Sequence, residues 1–137
     1  MRSIFIFLIV TSSVLISAQD KVVIPPRDTI SEKDRIYDFI QVPPTFVGGL
    51  DSLNSYLNRN LRYPSEALSK NITGVCVTRF VVMSDGGIVK AVIVTGIGAG
   101  CDEEALRLVC NMPKWKPGMK KGKNVNVRFT LPIHFEL

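Results

Sequence analysis

From Val125 to Leu137 every second residue is apolar: Val125, Val127, Phe129, Leu131, Ile133, Phe135 and Leu137. Asn126, Arg128, Thr130, Pro132, His134 and Glu136 fill the places between them. A period of two predicts a long strand with one buried face. Upstream, Cys76, Thr78, Phe80 and Val82 alternate with Val75, Val77, Arg79 and Val81 in a strand from Gly74 to Met83. Both of its faces are rather apolar, which predicts a central position. Ser84-Asp85-Gly86-Gly87 is a hairpin turn with glycine where positive φ is needed. Ile88 to Thr95, rich in β-branched residues, is the returning strand.

A helical period marks two other stretches. Leu50, Leu53, Tyr56, Leu57 and Leu61 predict a helix that ends near Asn60. A second, short helix starts after Arg62-Tyr63, with Pro64 at its first position and Asn71 or Gly74 at its exit. Ala105, Leu108, Val109 and Met112 fall at i, i+3, i+4 and i+7, the apolar face of a third helix. Asp102 is the expected cap of its first turn, and Glu103 and Glu104 suit its positive end. Pro113 ends it. Trp115, the only tryptophan, follows and is expected to fold back over the sheet, stabilising the fold without touching ligand.

The order is helix, short helix, strand, hairpin, strand, helix, strand. This predicts an α+β domain. Its three-stranded antiparallel sheet has order 2-1-3, every neighbouring pair is antiparallel, and the helices pack on one face. The last strand then has an open outer edge of the kind that recruits another strand. Pro132 fits an edge, because it has no ladder donor to lose. In an antiparallel pair the amides of alternate residues point the same way. The even-numbered residues therefore face outward. Asn126, Arg128 and Thr130 become the expected backbone partners of a bound strand, with Pro132 ending the pairing.

The 137 residues allow one domain at most. Met1-Arg2-Ser3 followed by the largely apolar Ile4 to Ala18 has the pattern of a signal peptide over residues 1–18, with cleavage before Gln19. The run is short for a membrane span, which needs about 20 apolar residues, so an uncleaved anchor is the lesser reading. Gln19 to Gln41 carries four basic and five acidic residues and a Pro25-Pro26 pair, and reads as a tether of at most about 80 Å. The compact domain is expected over residues 42–137, with Phe46 plugging the edge of the core.

Net charge is +5, or +4 once Arg2 leaves with the leader. Lys114, Lys116, Lys120, Lys121 and Lys123 crowd one connection and read as a solvated loop. Without interleaved aromatics they give no case for nucleic acid. Cys76, Cys101 and Cys110 are too few for a disulfide framework, and Cys76 and Cys110 read as small buried hydrophobes. A thiol enzyme would need a paired base, and His134, the only histidine, lies on the polar face of the last strand. The loop Gly96 to Gly100 fails as a dinucleotide cradle, because Asp102, Glu103 and Glu104 stand where a pyrophosphate would sit. The chain is therefore read as a non-enzyme with no metal and no cofactor.

Several short motifs occur in a fixed order. They are Pro44-x-Phe46-x-Gly48-Gly49, Tyr63-Pro64-x-x-Ala67, Gly74 with its strand, Asp85-Gly86, Asp102-Glu103-x-Ala105-Leu106-Arg107, Met112-Pro113-Lys114-Trp115-Lys116-Pro117-Gly118, Gly122-Lys123-x-Val125-x-Val127 and Leu131-Pro132-Ile133-x-Phe135. Together they resemble the C-terminal domain of TonB-type energy transducers, in the form found in single-domain and Bacteroidota-like chains. The resemblance runs from Val42 to Leu137. It implies a periplasmic module that binds the TonB box of TonB-dependent outer-membrane receptors and supports energy-dependent transport. It also implies that Tyr63 and Pro64 border the peptide groove. An inner-membrane proton-driven motor complex and a homodimer stay open as partners. Relatives of this kind usually have a membrane anchor and a long proline-rich spacer. The cleavable leader and short tether here leave a soluble exported peptide-interaction module, with no energy-transducing role, as the alternative.

Overall fold

A computed structural model describes residues 31–137. The expected leader and the first part of the tether, through Ile30, lie outside the described residues. A single turn of 3-10 helix, Glu32–Asp34, precedes β1 (Ile36–Tyr37). Then come α1 (Leu50–Asn60), α2 (Ser65–Ser69), β2 (Gly74–Val82), β3 (Ile88–Thr95), α3 (Cys101–Cys110), β4 (Gly118–Lys120) and β5 (Lys123–Phe135).

The sheet has five strands where three were expected. Its main path runs β1-β5-β2-β3, and β4 pairs with the start of β5. The expected order survives in its centre, with β2 between β3 and β5. Two short strands are added, and one breaks the all-antiparallel expectation: Ile36 and Tyr37 run parallel to Asn126 and Val127. Strands of two and three residues are too short to carry a period in the sequence, so the alternation could not announce them.

The β2–β5 ladder runs unbroken through nine pairs, from Gly74↔Phe135 to Val82↔Val127. Cys76, Thr78, Phe80 and Val82 share the buried face with Val127, Leu131, Ile133 and Phe135. Thr78 satisfies its hydroxyl by donating to the Leu131 carbonyl at 2.8 Å. Ala105, Leu108 and Val109 of α3 and Leu53 of α1 complete this core. The Tyr56 hydroxyl donates to the Leu108 carbonyl at 2.8 Å and ties α1 to α3.

Trp115 folds back as the sequence predicts. It is 3% exposed and packs edge-on against Phe46 and Phe80 and at a tilt against Phe129, with centroids 5.0–5.6 Å away. Phe46 is buried beside it.

Asp102 does not cap α3. The helix begins one residue earlier, at Cys101, and its N-cap is Gly100 in the left-handed conformation. Asp102 instead reaches back into the loop, accepting from the Ile97 amide at 2.9 Å, the Gly98 amide at 3.3 Å and the Cys76 thiol at 3.3 Å. Those loop amides are orphan donors too, and the left-handed turn aims them at the carboxylate. Cys110 departs from its expectation as well: it is exposed, while Cys76 and Cys101 are buried and all three are free thiols.

Candidate functional site: the outer side of the last strand

β5 owes its two characters to its alternation. The odd-numbered side chains go into the core, while Arg128, Thr130, Pro132 and His134 are exposed on the opposite face. Pro132 stands opposite Val77 in a ladder with no register shift. A proline can do so only where its nitrogen points away from the neighbouring strand. By alternation the odd-numbered residues exchange hydrogen bonds with β2, and the amides of Arg128, Thr130 and His134 point outward. Among the described residues no strand pairs with that outer side beyond Val127.

The sequence-expected site residues fall into three places. Arg128 and Thr130 line a cavity of about 460 Å³ with Asp38, Phe39, Arg79 and Phe129. The Arg128 guanidinium forms an ion pair with Asp38. Asn126 is buried, and Ile36 stands opposite it on the outer side. Its Nδ2 donates to the carbonyls of Lys33 at 2.9 Å and Arg35 at 3.3 Å, and its Oδ1 accepts from the Ser84 amide at 2.8 Å.

Tyr63 and Pro64 line a separate, more open hollow of about 320 Å³ between the α1–α2 connection and α3. The Tyr63 ring packs edge-on to Phe135, 5.7 Å between centroids, near the far end of β5. Its hydroxyl donates to the Ile72 carbonyl, and burial holds it above its ordinary pKa, as a neutral donor. Glu104 organises the floor of this hollow. It accepts from Arg107 at 2.6 and 2.9 Å and from the Arg62 amide, and Arg107 also donates to the Asn60 carbonyl at 2.8 Å. Burial pushes the Glu104 carboxyl up, but the Arg107 hydrogen bonds and the Arg62 amide outweigh it and hold it below the ordinary range.

The sequence reading missed Asp38, Phe39 and Arg79 in the first cavity. Asp38 and Phe39 fell in the expected tether, and Arg79 reads only as one of the alternating residues of a strand with two apolar faces. The one available signal was the charge itself, an arginine in a central strand.

The thiols offer little chemistry. Burial, reinforced by the neighbouring Asp102 carboxylate, pushes Cys76 up to about 12. Such a thiol is protonated at neutral pH and is no nucleophile. Among the described residues no group of three or more His, Cys, Asp or Glu side chains could hold a metal ion. No helix among them is long and apolar enough to cross a membrane.

The family model "Gram-negative bacterial TonB protein C-terminal" matches residues 59–137, more than half of the chain. The chain belongs to that family. This TonB C-terminal domain is also similar to solved structures. Two are solution structures of the Helicobacter pylori TonB C-terminal domain. One is 20% identical, with a TM-score of 0.48, covering 62% of this chain and 77% of that one. The other is 19% identical, with a TM-score of 0.49, covering 63% and 90%. A third, the HasB C-terminal domain, is 26% identical over 89% of this chain and 95% of its own, with a TM-score of 0.41. No curated protein matches the chain. The matched residues take in β2, β3, α3 and all of β5, so the outer side of β5 belongs wholly to the family region.

Proposed function

We propose that this TonB C-terminal domain takes up the TonB-box segment of a TonB-dependent outer-membrane receptor as an added strand on the outer side of β5. In doing so it serves energy-dependent transport in the Gram-negative envelope. The observation that carries this reading is the unbroken ladder through Pro132. It leaves the outward amides of Thr130 and His134 with no strand against them among the described residues, next to the short stretch opposite Ile36 and Tyr37. An extended peptide satisfies such donors with its own carbonyls, and its side chains then meet the cavity at Arg128 and Thr130. Tyr63 and Pro64, near the far end of β5, border the exit of the same track. The family supports an outer-membrane receptor as the partner, and an inner-membrane proton-driven motor is the source of work in this proposal. A homodimer through the same edge competes with the peptide for it.

The test is Thr130→Pro. The lost amide points outward, so the fold keeps its ladder and the melting temperature stays within a few degrees of the parent. Binding of a receptor TonB-box peptide, measured by calorimetry, is lost. Outright unfolding means that the amide is part of the internal ladder. Normal folding with normal binding puts the peptide elsewhere.

A further inference from the structure

The outer side of β5 is partly occupied by the chain itself. Ile36 and Tyr37 lie parallel to it, opposite Asn126 and Val127. The buried Asn126 amide grips the backbone just before them through the Lys33 and Arg35 carbonyls. The next residue, Asp38, sets its carboxylate on Arg128. There the segment leaves the edge: Phe39 is 94% exposed. Arg79, on the neighbouring strand and in register with Thr130, lines the same cavity and is in no ion pair among the described residues. The cavity therefore presents two guanidinium groups and holds one carboxylate, which comes from the chain's own N-terminal side.

We propose that Ile36–Asp38 is a built-in stand-in for the ligand, and that the segment replacing it is an extended peptide carrying a carboxylate for Arg128 and Arg79. This rests on the reading of the outer side of β5 as the docking edge. The self-contact is built to yield. Its ladder is two residues long, and isolated strands of that length are weak. The Asp38 and Arg128 side chains are 57% and 41% exposed, so water and salt screen the pair. An incoming strand that runs from Asn126 to His134 takes the positions of Ile36 and Tyr37 and gains more main-chain bonds than those two residues make. It also brings its carboxylate to two arginines. While the self-segment is seated, the apparent affinity falls by the fraction of molecules with an open edge.

The experiment uses the full chain and a capped hexapeptide of alternating valine and threonine with one glutamate, beside its glutamine twin. Asp38→Asn and, separately, Tyr37→Pro, which removes the backbone N–H of residue 37 from the short ladder, tighten the glutamate peptide about three- to tenfold by freeing the edge. The glutamine twin binds the parent about three- to tenfold more weakly, and Arg79→Gln narrows that gap, as does raising the salt. Unchanged affinity in both Asp38→Asn and Tyr37→Pro overturns the self-ligand. Equal binding of the two peptides overturns the carboxylate. If no variant binds either peptide, with the self-segment released or not, the docking edge itself is overturned.

Discussion

The amide of Trp115 donates to the carbonyl of Gly86 at 2.8 Å, and a Cβ built on Gly86 would come within 2.2 Å of the Trp115 carbonyl oxygen. The β2–β3 turn thus holds the Trp115 segment through its backbone. It does so only because residue 86 has no side chain and adopts a φ of 89°. Gly86→Ala meets both obstacles, a left-handed backbone and a collision with backbone, and is expected to cost about 2–4 kcal/mol. Gly87→Ala, in the same turn without positive φ, meets only the Asp85 carboxylate at 3.1 Å and costs clearly less. Thermal melts of the two variants check this. Equal losses would mean that the turn as a whole, and not the approach to Trp115, sets the cost.

Trp115 itself carries the second prediction. Its ring is enclosed by Phe46, Phe80 and Phe129, so Trp115→Ala should cost about 3–5 kcal/mol. Its Nε1 is buried with no hydrogen-bond partner among the described residues. Trp115→Phe therefore removes an unsatisfied donor along with some volume, and should cost much less than the alanine variant. Peptide binding, measured where each variant is still folded, should be unchanged. A Trp115→Phe variant that folds normally but no longer binds would make the ring a contact residue.

Much of this architecture is legible in the chain because burial imposes a period. β5 shows six apolar residues in strict alternation, and α1 spans Leu50–Asn60 where the helical spacing places it. β2, apolar on both faces, lies between two strands. Pro132 indicates which way the amides of β5 point. What stayed hidden lacks a period or depends on contacts distant in sequence. β1 exists because Asn126 grips Lys33 and Arg35, and in the alternation Asn126 reads as one more polar position. Asp38 meets Arg128 across ninety residues of sequence. Asp102 reads as a cap because its residue type and place suit one, but the helix starts one residue earlier after the left-handed Gly100, and the carboxylate serves the Ile97 and Gly98 amides instead.

The three thiols should separate cleanly by burial. Cys110 is exposed, whereas Cys76 and Cys101 are wholly buried, and burial together with nearby carboxylates raises both of their pKa values. A disulfide reagent at pH 8 should modify one thiol per native chain and three after denaturation. Cys110→Ser should then remove the fast phase entirely. Rapid native labelling of Cys76 would break the assignment of its Asp102 contact as a closed structural bond.

Glu104 supplies the last prediction. Its carboxylate joins α3 to the end of α1 through Arg107 and the Arg62 amide, and it is 8% exposed. In the folded chain its pKa lies below the ordinary 4.5, despite burial pushing the other way, because Arg107 and the Arg62 amide favour the charged form. The unfolded chain therefore takes up the proton first as the pH falls. The stability from Glu104 is complete above its unfolded pKa and is lost as the pH drops through the folded one. Glu104→Gln keeps the shape and removes the charge. At pH 7 it should cost about 1–3 kcal/mol, the range for a hydrogen-bonded charged group. Urea melts from pH 7 down to pH 3 should show the parent and the variant converging below about pH 4.5. Arg107→Ala should weaken the domain more than Glu104→Gln at pH 7, because it leaves a buried carboxylate without its cation. If the gap between parent and Glu104→Gln stays constant across that range, the charge on Glu104 is not what joins the two helices.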